Sequence, residues 1–136
     1  MTSASVSEEL CHFFRQDAVA QYLGAELVEC GAGRATVKME VKNTHLNAYG
    51  MVHGGVLFSL ADLAFGMAGN SEGNRAVAIN ATISYLKSKK TGILYAKAWE
   101  YTSNPRLASY TVQVIDEQGD RLALFQGMAY RKTHRS

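Results

Sequence analysis

The sequence predicts an α+β protein in which one curved antiparallel sheet packs against a single central helix. Three observations point there. Residues 54–68 are apolar in nearly every direction around a helix, several later runs are rich in β-branched and aromatic residues, and turn residues separate the last of those runs. At the start of the chain, Ser5 followed three residues later by Glu8 makes a capping box. Val6, Leu10, Phe13, Phe14 and Ala18 then recur at helical spacing until Gly24, which predicts one short amphipathic helix. From 34 to 41 the pattern becomes strict alternation, with Ala35, Val37, Met39 and Val41 on one face and Arg34, Thr36, Lys38 and Glu40 on the other. That is a strand with one wet face.

A loop containing Asn43, Thr44, Asn47 and Gly50 leads into the run 54–68, where Leu57, Leu60, Ala61, Leu63, Ala64, Phe65 and Met67 surround the helix. Such a helix must be buried. With Asp62 inside it, the run is too short and too polar for a bilayer, so it belongs in a protein core. Residues 76–86, 93–101, 107–115 and 122–130 read as strands that wrap it. Asn104-Pro105 and the cluster 116–120 punctuate the last two connections, so the final three strands are expected to form an antiparallel meander. No repeat or long linker interrupts the pattern, and residues 1–136 are expected to form a single domain.

Composition narrows the function. Hydrophobic residues are 47% and charged residues 19%, as in an ordinary globular protein, and the net charge of +2 supplies no dense cationic stripe for nucleic acid. Cys11 and Cys30 stand far apart and outside any CxxC, indicating neither a disulfide framework nor a zinc site. The first nine residues lack the charge and apolar run of a signal peptide, and no run is long enough for a membrane span. A cytoplasmic protein with no membrane partner is the expectation. His12, His45, His53 and His134 show no metal-ligand spacing, so no metal or cofactor is expected.

Asp62 has the strongest claim to chemistry, because an unpaired carboxylate on an apolar helix is costly. A structural ion pair, or a helix with a wet edge, would explain it equally without function. At the start of the same helix stands His53-Gly54-Gly55, where backbone N–H groups lack intrahelical partners and the macrodipole favours a developing oxyanion. Taken alone, a glycine pair is also a common turn, and a single histidine a common local hydrogen-bond partner that orients a loop. Gly54 and Asp62 lie about 12 Å apart at the rise of an ideal helix, too far for both to touch one carbonyl. If both act on one substrate, Gly54 of one subunit pairs with Asp62 of another across a twofold axis.

Taken together, Leu46-Asn47, His53-Gly54-Gly55, Leu57-Phe58-Ser59-Leu60-Ala61-Asp62, Ala64-Phe65 and Asn70-Ser71 resemble the hotdog-fold acyl-CoA thioesterases, in the phenylacetic-acid-degradation (PaaI-like) branch. The similarity runs from Asp17-Ala18 and Leu23-Gly24 to Ala123-Leu124-Phe125-Gln126-Gly127. It implies a long helix wrapped by a curved sheet, dimers joined edge to edge with shared active sites, and commonly homotetramers. It further implies Asp62 as the catalytic carboxylate, the Gly54 amide as the group polarising the thioester carbonyl, and Asn47 and His53 as supporting loop residues. Some thioesterases with this helix add a serine or threonine from the following strand, where this chain offers Ala78, Asn80 and Thr82.

The reaction implied is hydrolysis of an acyl-CoA, with an aryl-acyl group such as phenylacetyl or hydroxyphenylacetyl, or a medium-chain acyl, to the free acid and coenzyme A. Gly55 lets substrate approach the backbone, while Phe58 and Phe65, with Leu63 and Met67, serve as pocket walls or as core. Lys87, Lys89, Lys90 and Arg106 lie beside turns, where they could meet coenzyme A phosphates or simply be solvated. Two other readings use the same residues. A hydratase or dehydratase on this fold would need a histidine against a carboxylate, and a non-catalytic acyl-CoA binding module would need no buried Asp62.

Overall fold

The computed structural model describes residues 6–73 and 75–132. Ser5 lies outside them. The first helix, α1 (Glu8–Arg15), is capped by Ser7, whose hydroxyl accepts from the Leu10 N–H at 3.1 Å. The single helix expected before Gly24 is in fact two. Asp17 accepts from the N–H groups of Val19 and Ala20 at 2.9 and 3.0 Å and so starts α2 (Ala18–Leu23), which Gly24 ends at φ 70°.

A strand absent from the sequence reading follows. β1 (Glu26–Gly31) pairs antiparallel with β2 (Arg34–Glu40) through the two-residue turn Ala32-Gly33, whose φ values of 52° and 77° are those of a primed hairpin turn. As an edge strand β1 fully buries only Cys30, so it carries no alternation to read. On β2 the expected apolar face is buried, but Thr36 on the opposite face is buried too.

The long helix α3 (Gly54–Gly69) lies against the sheet completed by β3 (Arg75–Tyr85), β4 (Ile93–Ser103), β5 (Leu107–Asp116) and β6 (Arg121–Lys132). All pairs are antiparallel and the order is β1-β2-β4-β5-β6-β3. The β4–β5–β6 meander is as expected. Leu60, Ala61, Ala64 and Phe65 of α3 meet Val37, Leu94, Val112, Val114 and Phe125 of the sheet in one core. That burial supplies the main driving force for holding helix to sheet.

β3 forms the outer edge beyond β6, and Val77, Ile79, Tyr85 and Leu86 along it and just after it are exposed. Its pairing with β6 shifts between Ala78 and Asn80, leaving Ile79 as an extra residue. Such a bulge reverses which face successive side chains take. Cys11 and Cys30 are both free thiols, and burial pushes Cys30 up to about 11.

Candidate functional site

Two places on α3 hold the residues singled out by the sequence. At its N-terminus the loop before the helix is built around Asn47. The Asn47 Oδ1 accepts from the N–H of Tyr49 at 2.9 Å and of Met51 at 3.1 Å, while its own N–H donates to the Met51 carbonyl at 2.7 Å. An Asx side chain replaces the backbone partners this tight loop would otherwise lack. The loop is then tied down by Val52, whose N–H donates to the Lys89 carbonyl, and by His53, whose N–H donates to the His45 carbonyl, both at 2.8 Å.

His45 was not singled out by the sequence, yet it anchors this end. It is buried, its Nδ1 accepts from the Lys42 N–H at 2.9 Å, and burial holds it below the ordinary histidine value. His53 caps α3: its Nδ1 accepts from the Gly55 N–H at 2.9 Å. The Gly55 amide is therefore spoken for. Gly54 N–H, one residue earlier, has no acceptor among the described residues, so it remains free at the positive end of the helix.

Tyr85 is the other residue the sequence reading missed here. Its hydroxyl donates to the Gly54 carbonyl at 3.1 Å, and a Cβ on Gly54 would stand 3.2 Å from its ring. The contact joins residues 31 apart in the chain, and nothing local marks it.

Eight residues further along α3, Asp62 lines a cavity of about 470 Å³. The walls are apolar, including Phe13 and Phe14 from α1, Leu63, Phe65 and Met67 from α3, and Val77 from β3. Asp62 and Asp17 are the charged residues that line it. Asp62 accepts no hydrogen bond and pairs with no cation among the described residues, so neither the ion-pair explanation nor a local donor such as Asn47 accounts for it. One expectation needs correction: α3 is not covered all round, and Asp62 is exposed at the cavity rim. Even so, loss of hydration and then the negative charge of Asp17 push its carboxyl above the ordinary value.

Of the expected pocket walls, Phe65 lines this cavity while also packing on Tyr110 and Phe125 at 5.6 Å. Phe58 does not line it; its ring sits edge-on to Phe125 at 5.3 Å, against the core. Asn80 and Thr82 are also placed elsewhere. The bulge at Ile79 leaves Ala78 on the Asp62 cavity and turns Asn80 and Thr82 into a separate cleft beside Ser109, Thr111 and Gln126. Within one chain, β3 therefore brings no hydroxyl to the Asp62 cavity.

The basic residues divide between opposite ends of the sheet. Lys89 pairs with the buried Asp116 at 3.0 Å, and Lys87 with the exposed Asp120 at 2.6 Å, at the end where α3 begins. Burial opposes the charge on Asp116, but Lys89 and the Asp120 and Gln118 amides outweigh it and hold that carboxyl below its ordinary value. Lys89 is thus a structural partner rather than a free cation. Arg106 donates to the Tyr130 hydroxyl at 3.1 Å at the other end, beside Arg131. Lys90 is exposed. No cluster of three or more His, Cys, Asp or Glu side chains suited to a metal occurs among the described residues. No described helix is long and apolar enough to cross a membrane.

The model of the thioesterase superfamily matches residues 49–123. A curated relative, the acyl-coenzyme A thioesterase PaaI of Escherichia coli, is 37% identical over 119 residues, covering 87% of this chain and 85% of its own. The structure of the E. coli PaaI protein from the phenylacetic acid degradation operon superposes with a TM-score of 0.85 at 36% identity, over 89% of this chain and 88% of that one. A hypothetical thioesterase from Streptococcus pneumoniae, solved with coenzyme A, gives a TM-score of 0.84 at 27% identity, over 92% of this chain and 98% of that one.

Proposed function

The chain belongs to the thioesterase superfamily, in its PaaI-like hotdog branch, and is an acyl-CoA thioesterase; from that premise we propose that Asp62 is its catalytic base and the Gly54 amide its oxyanion donor. The observation that carries the proposal is the unpartnered Asp62 carboxylate at the rim of an apolar cavity. Its place at the mouth of an apolar cavity, beside a second carboxylate, raises its basicity, which suits proton abstraction.

In the proposed reaction Asp62 takes a proton from water as the water oxygen attacks the thioester carbon. The carbonyl oxygen becomes an oxyanion that the Gly54 N–H and the helix dipole stabilise. Collapse of the tetrahedral intermediate breaks the C–S bond, and the departing thiolate recovers the proton from Asp62. The alternative, direct attack by Asp62, would pass through a mixed anhydride, and label found on Asp62 after a single turnover in ¹⁸O-labelled water, put there by water attacking its carboxyl carbon, would establish that route.

Gly54 and Asp62 sit at separate places on α3, so one chain does not present both to one thioester. We therefore assign the site to a homodimer formed along the exposed β3 edge, with a homotetramer built from two such dimers. The cavity of about 470 Å³, walled by Phe13, Phe14 and Phe65, is roomy for an aryl-acyl or medium-chain acyl group and falls in the usual size range of ligand pockets. Asn47 and His53 hold the loop, and exposed Lys90 is better placed than Lys89 to meet phosphate. A screen of phenylacetyl-, hydroxyphenylacetyl- and alkyl-CoA thioesters, with Asp62→Asn as the control, tests the proposal. Release of thiol from an aryl-acyl or medium-chain thioester supports it, and binding without turnover would sink it.

A further inference from the structure

Tyr85 ends the edge strand β3, and its ring lies over the first turn of α3. Its hydroxyl donates to the Gly54 carbonyl oxygen at 3.1 Å. The N–H of that same peptide unit belongs to Gly55 and donates to His53 Nδ1 at 2.9 Å. A single peptide plane between two glycines is thus held at both ends by side chains.

That plane matters because two successive glycines have the widest backbone freedom in any chain, and the first turn of a helix lacks the hydrogen bonds that fix its interior. A donor that stabilises an oxyanion works only if its direction is set before the charge develops. The Gly54 N–H shares its peptide with the His53 carbonyl, which accepts from the Val56 and Leu57 N–H groups at 2.9 and 3.1 Å and holds that plane from the helix side. The peptide that follows, joined to it through the Gly54 Cα, sets the other side. Tyr85 is 53% exposed, so the core does not require it. It stands 3.2 Å from where a Cβ at 54 would lie, so a larger residue there would have to displace the ring slightly.

We propose that Tyr85 is a positioning residue that clamps the Gly54–Gly55 peptide from the side opposite His53 and so aims the Gly54 N–H. The proposal rests on the reading that this N–H meets the thioester oxygen. Tyr85→Phe is the direct test, because it keeps the ring and deletes the hydroxyl. Two measurements on the intact protein separate the clamp from its use.

By NMR, hydrogen exchange at the Gly55 amide should quicken on the order of tenfold, with an unchanged melting curve, as expected for the loss of one hydrogen bond in a frayed turn. In turnover with an acyl-CoA thioester, kcat should fall on the order of tenfold while KM stays within about twofold. Unchanged exchange at Gly55 would overturn the clamp, whatever the protein hydrolyses. Faster exchange with wild-type kcat would overturn its part in the reaction. A wild-type protein that releases no thiol would instead overturn the reaction assigned above, and with it Tyr85's catalytic purpose, while the exchange result still judged the clamp.

Discussion

Asp17, the N-cap of α2, and Asp62 on α3 line one cavity, and no cation among the described residues lines it with them. Loss of hydration, and after it the charge of Asp17, raises the Asp62 carboxyl above its ordinary value. A general base works only when ionised, so kcat should fall with decreasing pH through an acid limb above the ordinary aspartate range. Asp17→Asn removes the like charge while an asparagine still caps α2. The limb should then move to lower pH. A pH–rate profile unmoved by that substitution would contradict the coupling.

Asp62→Asn should lower kcat about 10²- to 10⁴-fold, the usual cost of losing a positioned base. Its effect on stability runs the other way. Because the folded-state pKa is raised, the folded protein holds its proton more tightly than the unfolded chain, so stability falls as pH rises from the unfolded pKa through the folded one. At neutral pH the ionised Asp62 is a net cost, and asparagine removes it. Thermal denaturation at pH 7 should show Asp62→Asn melting no lower than the wild type, with the gain vanishing in acid.

Gly127 on β6 faces Phe65 so closely that a Cβ there would lie 2.8 Å from the ring Cζ. Phe65 is held in turn by Tyr110 and Phe125 and cannot swing aside freely. Gly127→Ala should cost roughly 1–3 kcal/mol by overpacking. It should also distort the cavity wall that Phe65 provides, raising KM for the preferred thioester. Chemical denaturation and steady-state kinetics measure the two effects, and a fully stable variant would show that the ring has room to move.

Much of the fold was legible because its signals were local. The apolar run that became α3 and the alternating or β-branched runs that became β2 to β6 each declare their period in the sequence. The break between α1 and α2 was not legible, because helical spacing continues across Asp17 while only its side-chain caps interrupt the backbone. β1 was missed because an edge strand buries too little to alternate. Of the candidate residues, His53, Gly54 and Asp62 could be named from residue type and spacing, and Asn47 from the family resemblance. The faces of Asn80 and Thr82 could not, since one extra residue at Ile79 reverses them. The contacts Tyr85–Gly54 and Lys89–Asp116 span 31 and 27 residues and exist only once the sheet has formed.

The central claim is that Gly54 of one subunit and Asp62 of another act on one thioester, and subunit complementation tests it most directly. Gly54→Pro removes the N–H at the first helical position, where proline is tolerated, and His53 already has the extended backbone that precedes proline. The exposed Tyr85 ring must shift slightly to admit it. Each of Gly54→Pro and Asp62→Asn alone should be nearly inactive. Mixed and allowed to exchange in equal amounts, half of the dimers pair one of each and carry one complete site, so activity should recover to about a quarter of the wild-type value. Mixed dimers shown by native mass spectrometry, with no activity above the sum of the two variants, would contradict the shared site.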